Sequence, residues 1–150
     1  MNSGFGARAA RTIILAERTL LLDSHSFVWA LTEPDQFPER SRSAINDVAR
    51  TVLVSAASIW EIAIKARSGR WPEARVVLDD LHTLLHRAGM VPLAVTIDHG
   101  RSAGLLDWRH TDPFDRLLAV QAAAERALLV TRDRVFDTAP ANLALATLWD

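Results

Sequence analysis

TDPFDRLLAVQAAAERALLVTRD, residues 111–133, contains a helix and the strand that the helix feeds. Asp112 stands where a helix N-cap is wanted. Pro113 follows at the first helical position, where its fixed φ and missing N–H cost nothing. Good helix formers continue to Ala127, with no glycine among them. LLVT, 128–131, then comes at once as a short unbroken apolar run, the pattern of a strand covered on both faces. Asp133 lies just beyond its exit. A helix that runs back to feed a parallel strand begins at the edge where the strands end. Asp115, in the first turn, is therefore expected on the same rim as Asp133.

Working outward, the same alternation recurs. TLLLD, 19–23, reads as a buried strand ending in an acid, and SHSFVWALTEP turns into a short helix stopped by Pro34. Pro38 to Ala49 carries Ala44, Ile45, Val48 and Ala49 at helical spacing, and TVLVS, 51–55, is a second buried strand. Ser58 to Ser68 places Ile59, Ile62, Ala63 and Ala66 on one face, with Gly69 positioned to end the helix. A further helix is expected over 74–88, ended by Gly89. An extended MVPLAV follows, then a helix from a Thr96 cap to Leu106, and a last strand at ATLW, 146–149. Helices alternating with continuous apolar strands give an α/β fold: a three-layer sandwich around a central, mainly parallel sheet.

With 150 residues, 49% of them hydrophobic, one domain with a real core is expected over 19–150. Residues 1–18 read as a loosely attached, flexible extension or an over-long gene start, with TIIL as an alternative edge strand. They lack an apolar run long enough for a signal-peptide core. No apolar run approaches the roughly 20 residues of a membrane span, so a soluble, cytoplasmic protein is expected. The 17 basic and 18 acidic residues leave a net charge of −1, so no overall basic field marks a nucleic-acid binder. No cysteine is present, which excludes disulfides, thiolate zinc sites and a thiol nucleophile.

Strand direction sends Asp23, Glu61 and Asp133 to the carboxyl edge of the sheet, where open parallel sheets bind ligands. Asp115 joins them through its helix. Each acid also has a purely structural reading. Asp23 and Asp133 suit turns. Ser58 and Glu61 fit a capping box, with Glu61–Lys65 as a surface pair at i, i+4. Asp112 and Asp115 suit a helix N-terminus. Convergence of all four is what points to chemistry. Two carboxylates about 4 Å apart repel by about 4 kcal/mol at an effective dielectric of about 20, so a positive group must join them. With hard oxygen donors only, Mg²⁺ or Mn²⁺ is the simplest choice.

LLLDSH (20–25), SAASIWEIAIKARSG (55–69), HTDPFDRLLAVQA (110–122) and LLVTRD (128–133) together resemble, in order and spacing, the PIN-domain ribonucleases, specifically the VapC type of bacterial toxin. The resemblance runs from about residue 19 to the end. It implies a PIN-like fold and a metal-dependent endoribonuclease whose catalytic acids are Asp23, Glu61, Asp115 and Asp133. Mg²⁺, with Mn²⁺ as the alternative, would be held mainly by Asp23, Asp115 and Asp133. It also implies an RNA substrate, a cognate antitoxin that blocks the site, and a homodimer.

Ser24, Thr131 and Asp112 are candidates for supporting the acids, Asp112 foremost as the N-cap. Arg116, Arg132 and Arg134 are candidates for gripping RNA phosphates. Trp29, Trp60, Trp71, Trp108 and Trp149 offer stacking faces, and His25 and His110 are possible substrate contacts. The main alternative is a non-catalytic PIN-like domain whose acidic pocket binds a protein. An aspartyl phosphotransferase is disfavoured because Asp23 is followed by Ser-His and has no acidic pair upstream. A Rossmann cofactor site is disfavoured because no glycine-rich turn follows a strand.

Overall fold

The structure is a computed structural model that describes residues 18–150. Both readings of the N-terminal segment, extension and edge strand, fall on residues outside the described ones apart from Arg18. Five strands, β1 (Thr19–Leu22), β2 (Thr51–Ser55), β3 (Met90–Leu93), β4 (Leu128–Val130) and β5 (Ala146–Leu148), form one sheet in the order β3-β2-β1-β4-β5. All four pairings are parallel, with Leu22 opposite Val54 on one side and Val130 on the other. Both edge strands, extended MVPLAV and ATLW in the sequence, therefore run with the rest.

The apolar runs are unbroken because the sheet is covered twice. Successive side chains of a strand point to opposite faces. Leu20, Leu22, Val52, Val54 and Val130 enter one buried cluster with Phe27, Ile62 and Val77. Leu21, Leu53 and Leu129 enter a second with Leu118, Ala122 and Phe136. The first face is covered by α1 (Ser24–Thr32), α2 (Glu39–Asn46), α3 (Ala56–Arg67), α4 (Arg75–Asp79) and α5 (Leu81–Arg87). The second is covered by α7 (Pro113–Ala124), with α6 (Ile97–Leu105) packed on it. These are the three layers.

The sheet order has a functional consequence. From β1 the chain moves outward to β2 and β3, then crosses back to the other side of β1 to lay down β4 and β5. Connections at the β1/β4 boundary leave in opposite directions, which opens a crevice beyond the carboxyl ends of those two strands. Asp23 follows β1 there, and Thr131 to Asp133 follow β4.

Three helix expectations are corrected. The helix expected over 74–88 is two: α4 ends at Asp79, Asp80 takes a non-helical conformation (φ −125°, ψ 33°), and α5 begins at Leu81. The break turns Val77 and Leu85 into the same core. The helix expected from Pro38 to Ala49 stops at Asn46, where Asp47 turns extended and its Oδ1 accepts from the Ala49 amide. The capping box of Ser58 and Glu61 does not form. Helix α3 starts at Ala56, and its N-cap is Ser55, whose Oγ accepts from the Ala57 amide at 3.0 Å. Ser58 is buried inside the helix with its Oγ unpartnered among the described residues.

The far end of α3 follows the sequence. Gly69 takes φ 77°, so that Arg70 N–H reaches the Lys65 carbonyl at 3.0 Å and Gly69 N–H the Ala66 carbonyl at 3.4 Å. This is the Schellman closure that a left-handed residue after a helix permits. It also brings Trp71 N–H onto the Lys65 carbonyl at 3.1 Å and so sets Trp71 beside α1.

Candidate active site

Asp23 serves two purposes. It is the N-cap of α1, with Oδ1 accepting from the Ser26 amide at 2.8 Å, and it stands at the exit of β1. Its own N–H donates to the Val130 carbonyl at 3.2 Å, and Ser26 Oγ donates to the same oxygen at 2.9 Å, which ties the β1 exit to β4. Burial raises the pKa of the Asp23 carboxyl, opposed by hydrogen bonds from Thr131 and Ser26. Thr131 is itself buried, and its Oγ1 accepts from the Asp133 N–H at 3.0 Å. One hydroxyl thus links the acids that follow β1 and β4. Asp133 is exposed, and its Oδ1 accepts from the Val135 amide at 2.9 Å to start the 3₁₀ turn Arg134–Thr138.

Glu61 projects from the buried side of α3, and both of its oxygens are engaged. Ser24 Oγ, next to Asp23, donates to Oε1, and Lys65 Nζ donates to Oε2 at 2.9 Å. Glu61 is buried, so the pair expected at the surface is instead at the site. Asp115 lies in the first turn of α7, with Oδ2 2.6 Å from His110 Nε2. Asp112 is the N-cap, accepting from the amides of Phe114 and Asp115 at 2.9 and 3.1 Å. The Asp115 carboxyl is pushed up to about 6, first by burial and then by the negative charges of Asp112 and Glu61, against the hydrogen bond to His110.

The acids share one rim. Asp23 and Asp133 line a cavity of about 250 Å³ together with His25, Trp29 and Arg132. The charge of Glu61 acts on Asp115, and His25 lies in the fields of both Asp23 and Glu61. A sequence model of the PIN domain matches residues 20–142, which takes in all four acids. The chain belongs to the PIN domain family. It is similar to ribonuclease VapC16 of Mycobacterium tuberculosis, 38% identical over 63 residues, or 42% of this chain and 43% of that protein. The alignment thus spans less than half of that relative. Its structure resembles a chain in the crystal structure of VapBC2 from Rickettsia felis bound to a DNA fragment from their promoter, with a TM-score of 0.63 and 21% identity, over 88% of this chain and 99% of that one. That likeness establishes the fold.

Around the acids, this PIN domain spends its basic residues unequally. Arg116, expected as a phosphate contact, has a different task. Its guanidinium donates to the carbonyls of Ala103, Leu106, Trp108 and His110. With its donors used on the 103–110 segment, it fastens the loop that holds His110 against Asp115. Arg134 stays at the surface, 3.8 Å from Asp137. Arg132 lies over the Trp29 ring with its carbon 4.8 Å from the centroid. Of the tryptophans, Trp108 is buried and donates to Thr138 Oγ1 at 2.9 Å, while Trp60 is exposed and packs edge-on against Phe114. Trp29, Trp71 and Trp149 gather on the His25 side of the cavity.

The donor set can be judged against a divalent cation. Among the described residues no three His, Asp or Glu side chains are grouped so that they alone could hold a metal ion. Glu61 is turned to Ser24 and Lys65, Asp115 to His110, and Asp133 to a backbone amide. A closed protein cage is therefore not what these residues offer. They suit the other mode of Mg²⁺, in which one or two carboxylates contribute, several waters stay bound and phosphate oxygens complete the shell. The raised pKa values of Asp23 and Asp115 come first from burial, a cost to the ionised carboxylates that a bound cation would offset.

Two roles at the site were not legible: that His110, a candidate substrate contact, would bond Asp115, and that Lys65 would stand at the acids. His110 precedes Asp115 by five residues in a loop, where no periodicity fixes its direction. Lys65 was visible as the i+4 partner of Glu61, but only the burial of Glu61 places its ammonium at the acids. The anchoring by Arg116 had no sequence signal, because its acceptors are backbone carbonyls.

Proposed function

We propose that this PIN domain is a Mg²⁺- or Mn²⁺-dependent endoribonuclease, the toxin of a toxin–antitoxin pair, cutting RNA phosphodiester bonds at Asp23, Glu61, Asp115 and Asp133. The observation that carries the proposal is that Asp23 and Asp133 line one cavity at the β1/β4 crevice while Glu61, bonded by Ser24 beside Asp23, acts on Asp115; burial raises the pKa values of Asp23 and Asp115. Structural caps alone do not explain why Asp115 and Glu61 should be held in each other's field at such a cost. The relative named as a ribonuclease supports the activity, and the VapBC2 structure supports an antitoxin partner. No helix among the described residues is long and apolar enough to cross a membrane; action on RNA in the cytoplasm is part of the proposal.

Of Asp23, Asp115 and Asp133, one or two would contribute directly to the cation's shell, and the remaining acids, Glu61 among them, would act through its bound waters. The bound cation would supply a water of lowered pKa and neutralise charge on the phosphodiester. The chain's own residues set the stage. Ser24 and Lys65 fix the Glu61 carboxylate, Thr131 holds Asp23 and Asp133 in register, and His110, tied down through Arg116, orients Asp115. An antitoxin arginine placed among these carboxylates would supply the same positive charge and occlude the crevice. A homodimer completes the proposal as the resemblance frames it.

The second reading, a non-catalytic acidic pocket for a protein, is favoured by one observation: Glu61, Asp115 and Asp133 already have protein partners. Incubating total RNA with the purified protein in Mg²⁺, Mn²⁺ or EDTA, beside Asp23→Ala and Asp115→Asn, separates the two. Discrete metal-dependent fragments absent from both variants support the nuclease. An inert wild type that also binds no Mn²⁺ by calorimetry supports the pocket.

A further inference from the structure

Arg132 differs from the other arginines of the site. The donors of Arg116 are used on backbone carbonyls and Arg134 stands beside Asp137. Arg132 is exposed, and among the described residues no ion pair or hydrogen bond engages its guanidinium, which lies over the face of Trp29 at 4.8 Å with its charge acting on His25. Neighbouring Asp133 does not claim it, because that carboxylate caps Val135. A guanidinium stacked on an indole keeps its in-plane donors available while its direction is fixed.

The ring beneath it is fixed in turn. Trp29 lies 5.3 Å from the exposed His25 ring and 6.1 Å from Trp149, and His25 stacks on Trp71 at 4.4 Å and 24°. Trp71 is set by the Schellman turn that ends α3. His25, Trp29 and Arg132 line the cavity that also holds Asp23 and Asp133. Rings held in place before binding lose little rotamer freedom when a ligand arrives. An unpaired base offers a face for stacking, and its phosphate an acceptor for arginine, whereas a base inside a duplex is already stacked on both sides.

We propose that Arg132, Trp29 and His25 form a nucleotide subsite beside the carboxylates, in which Arg132 grips an RNA phosphate next to the one being cut and an unpaired base stacks on the aromatic cluster. This assignment rests on the nuclease reading above, and it makes these residues determinants of where the substrate is held.

The test is fluorescence anisotropy with a labelled mixed-sequence oligoribonucleotide, single-stranded or annealed to its complement, in EDTA and in Mn²⁺, with cleavage followed in the Mn²⁺ samples. Arg132→Ala is expected to weaken single-strand binding about 10-fold, the scale of a charged hydrogen bond. It should also lower the slope of log K against log salt by about 0.7, the share of one phosphate contact. Arg132→Lys should restore that slope. Trp29→Leu should weaken binding at least about 5-fold through lost stacking, and Trp29→Phe should recover most of it. Wild-type protein should favour the single strand over the duplex.

Unchanged affinity and salt slope in Arg132→Ala, or equal binding of duplex and single strand, would overturn the subsite. So would failure of both RNAs to bind in both buffers. Cleavage that persists without dependence on Arg132 or Trp29 defeats the subsite and leaves the nuclease standing. The expected binding pattern with no cleavage in Mn²⁺ defeats the nuclease and leaves an RNA-binding cavity.

Discussion

Asp115→Asn should remove cleavage and at the same time make the metal-free protein more stable at neutral and alkaline pH. The folded chain holds the Asp115 proton up to about pH 6, against a reference carboxyl of 3.8. The unfolded chain therefore ionises first as pH rises, and the group's contribution to stability falls between about pH 4 and about pH 6 and is flat above. The interval corresponds to about 3 kcal/mol at most. The side chain is 20% exposed, and screening by that water reduces the expected cost of the ionised group to about 1–2 kcal/mol. Asparagine is nearly isosteric, leaves His110 a carbonyl to bond and carries no charge. Urea denaturation in EDTA should thus show Asp115→Asn more stable than wild type by about 1–2 kcal/mol at about pH 8, with the gain shrinking towards zero near pH 4. A variant no more stable than wild type at the higher pH, or a gain of equal size at both, would refute the claim that Asp115 is an electrostatic liability kept for function.

Saturating Mn²⁺ should raise the stability of wild type by about 2.7 kcal/mol at 100 times Kd, read as an increase in Tm, and Asp23→Ala should lose most of that increase. Arg116→Ala should cost about 2–4 kcal/mol by chemical denaturation, because buried carbonyls of the 103–110 segment lose a charged donor, and Arg116→Lys should not restore it. Ser24→Ala should lower cleavage while costing only about 1–2 kcal/mol of stability; Lys65 still holds the other Glu61 oxygen, and equal kcat in the two proteins would count against a role for Glu61. Gly69→Ala should destabilise by about 1 kcal/mol in thermal melts. The position has open space but φ 77°, so the cost is one of conformation, not of clash.

How far the sequence reached depended on the kind of signal. Pro113 after Asp112 marked the start of α7 to the residue, since N-cap chemistry is local. Gly69 and Gly89 marked two helix ends for the same reason, both with positive φ. Ser58 misled because an S-x-x-E spacing also occurs inside a helix. What starts α3 is Ser55, which is simultaneously the last residue of β2 and bonds Gln121 across the sheet. The break at Asp80 was missed because Leu78, Leu81, Leu84 and Leu85 keep an apolar rhythm through it, and the packing against the sheet decides where the helix bends.

The sequence by itself determined the alternation of apolar strands with capped helices, and hence a parallel sheet with both faces covered. It also determined that Asp23 and Asp133 follow strands, because strand length and direction are written in local hydrophobicity. Only the tertiary structure decided that β4 lies against β1, so that their exits share a crevice. It also decided that Lys65 and His110 stand against the acids while Arg116 holds a loop and Arg132 lies over the Trp29 ring. These are pairings between residues far apart in the chain or set in aperiodic loops. Their direction is fixed by burial and by the backbone groups left needing partners, which no spacing in the sequence encodes.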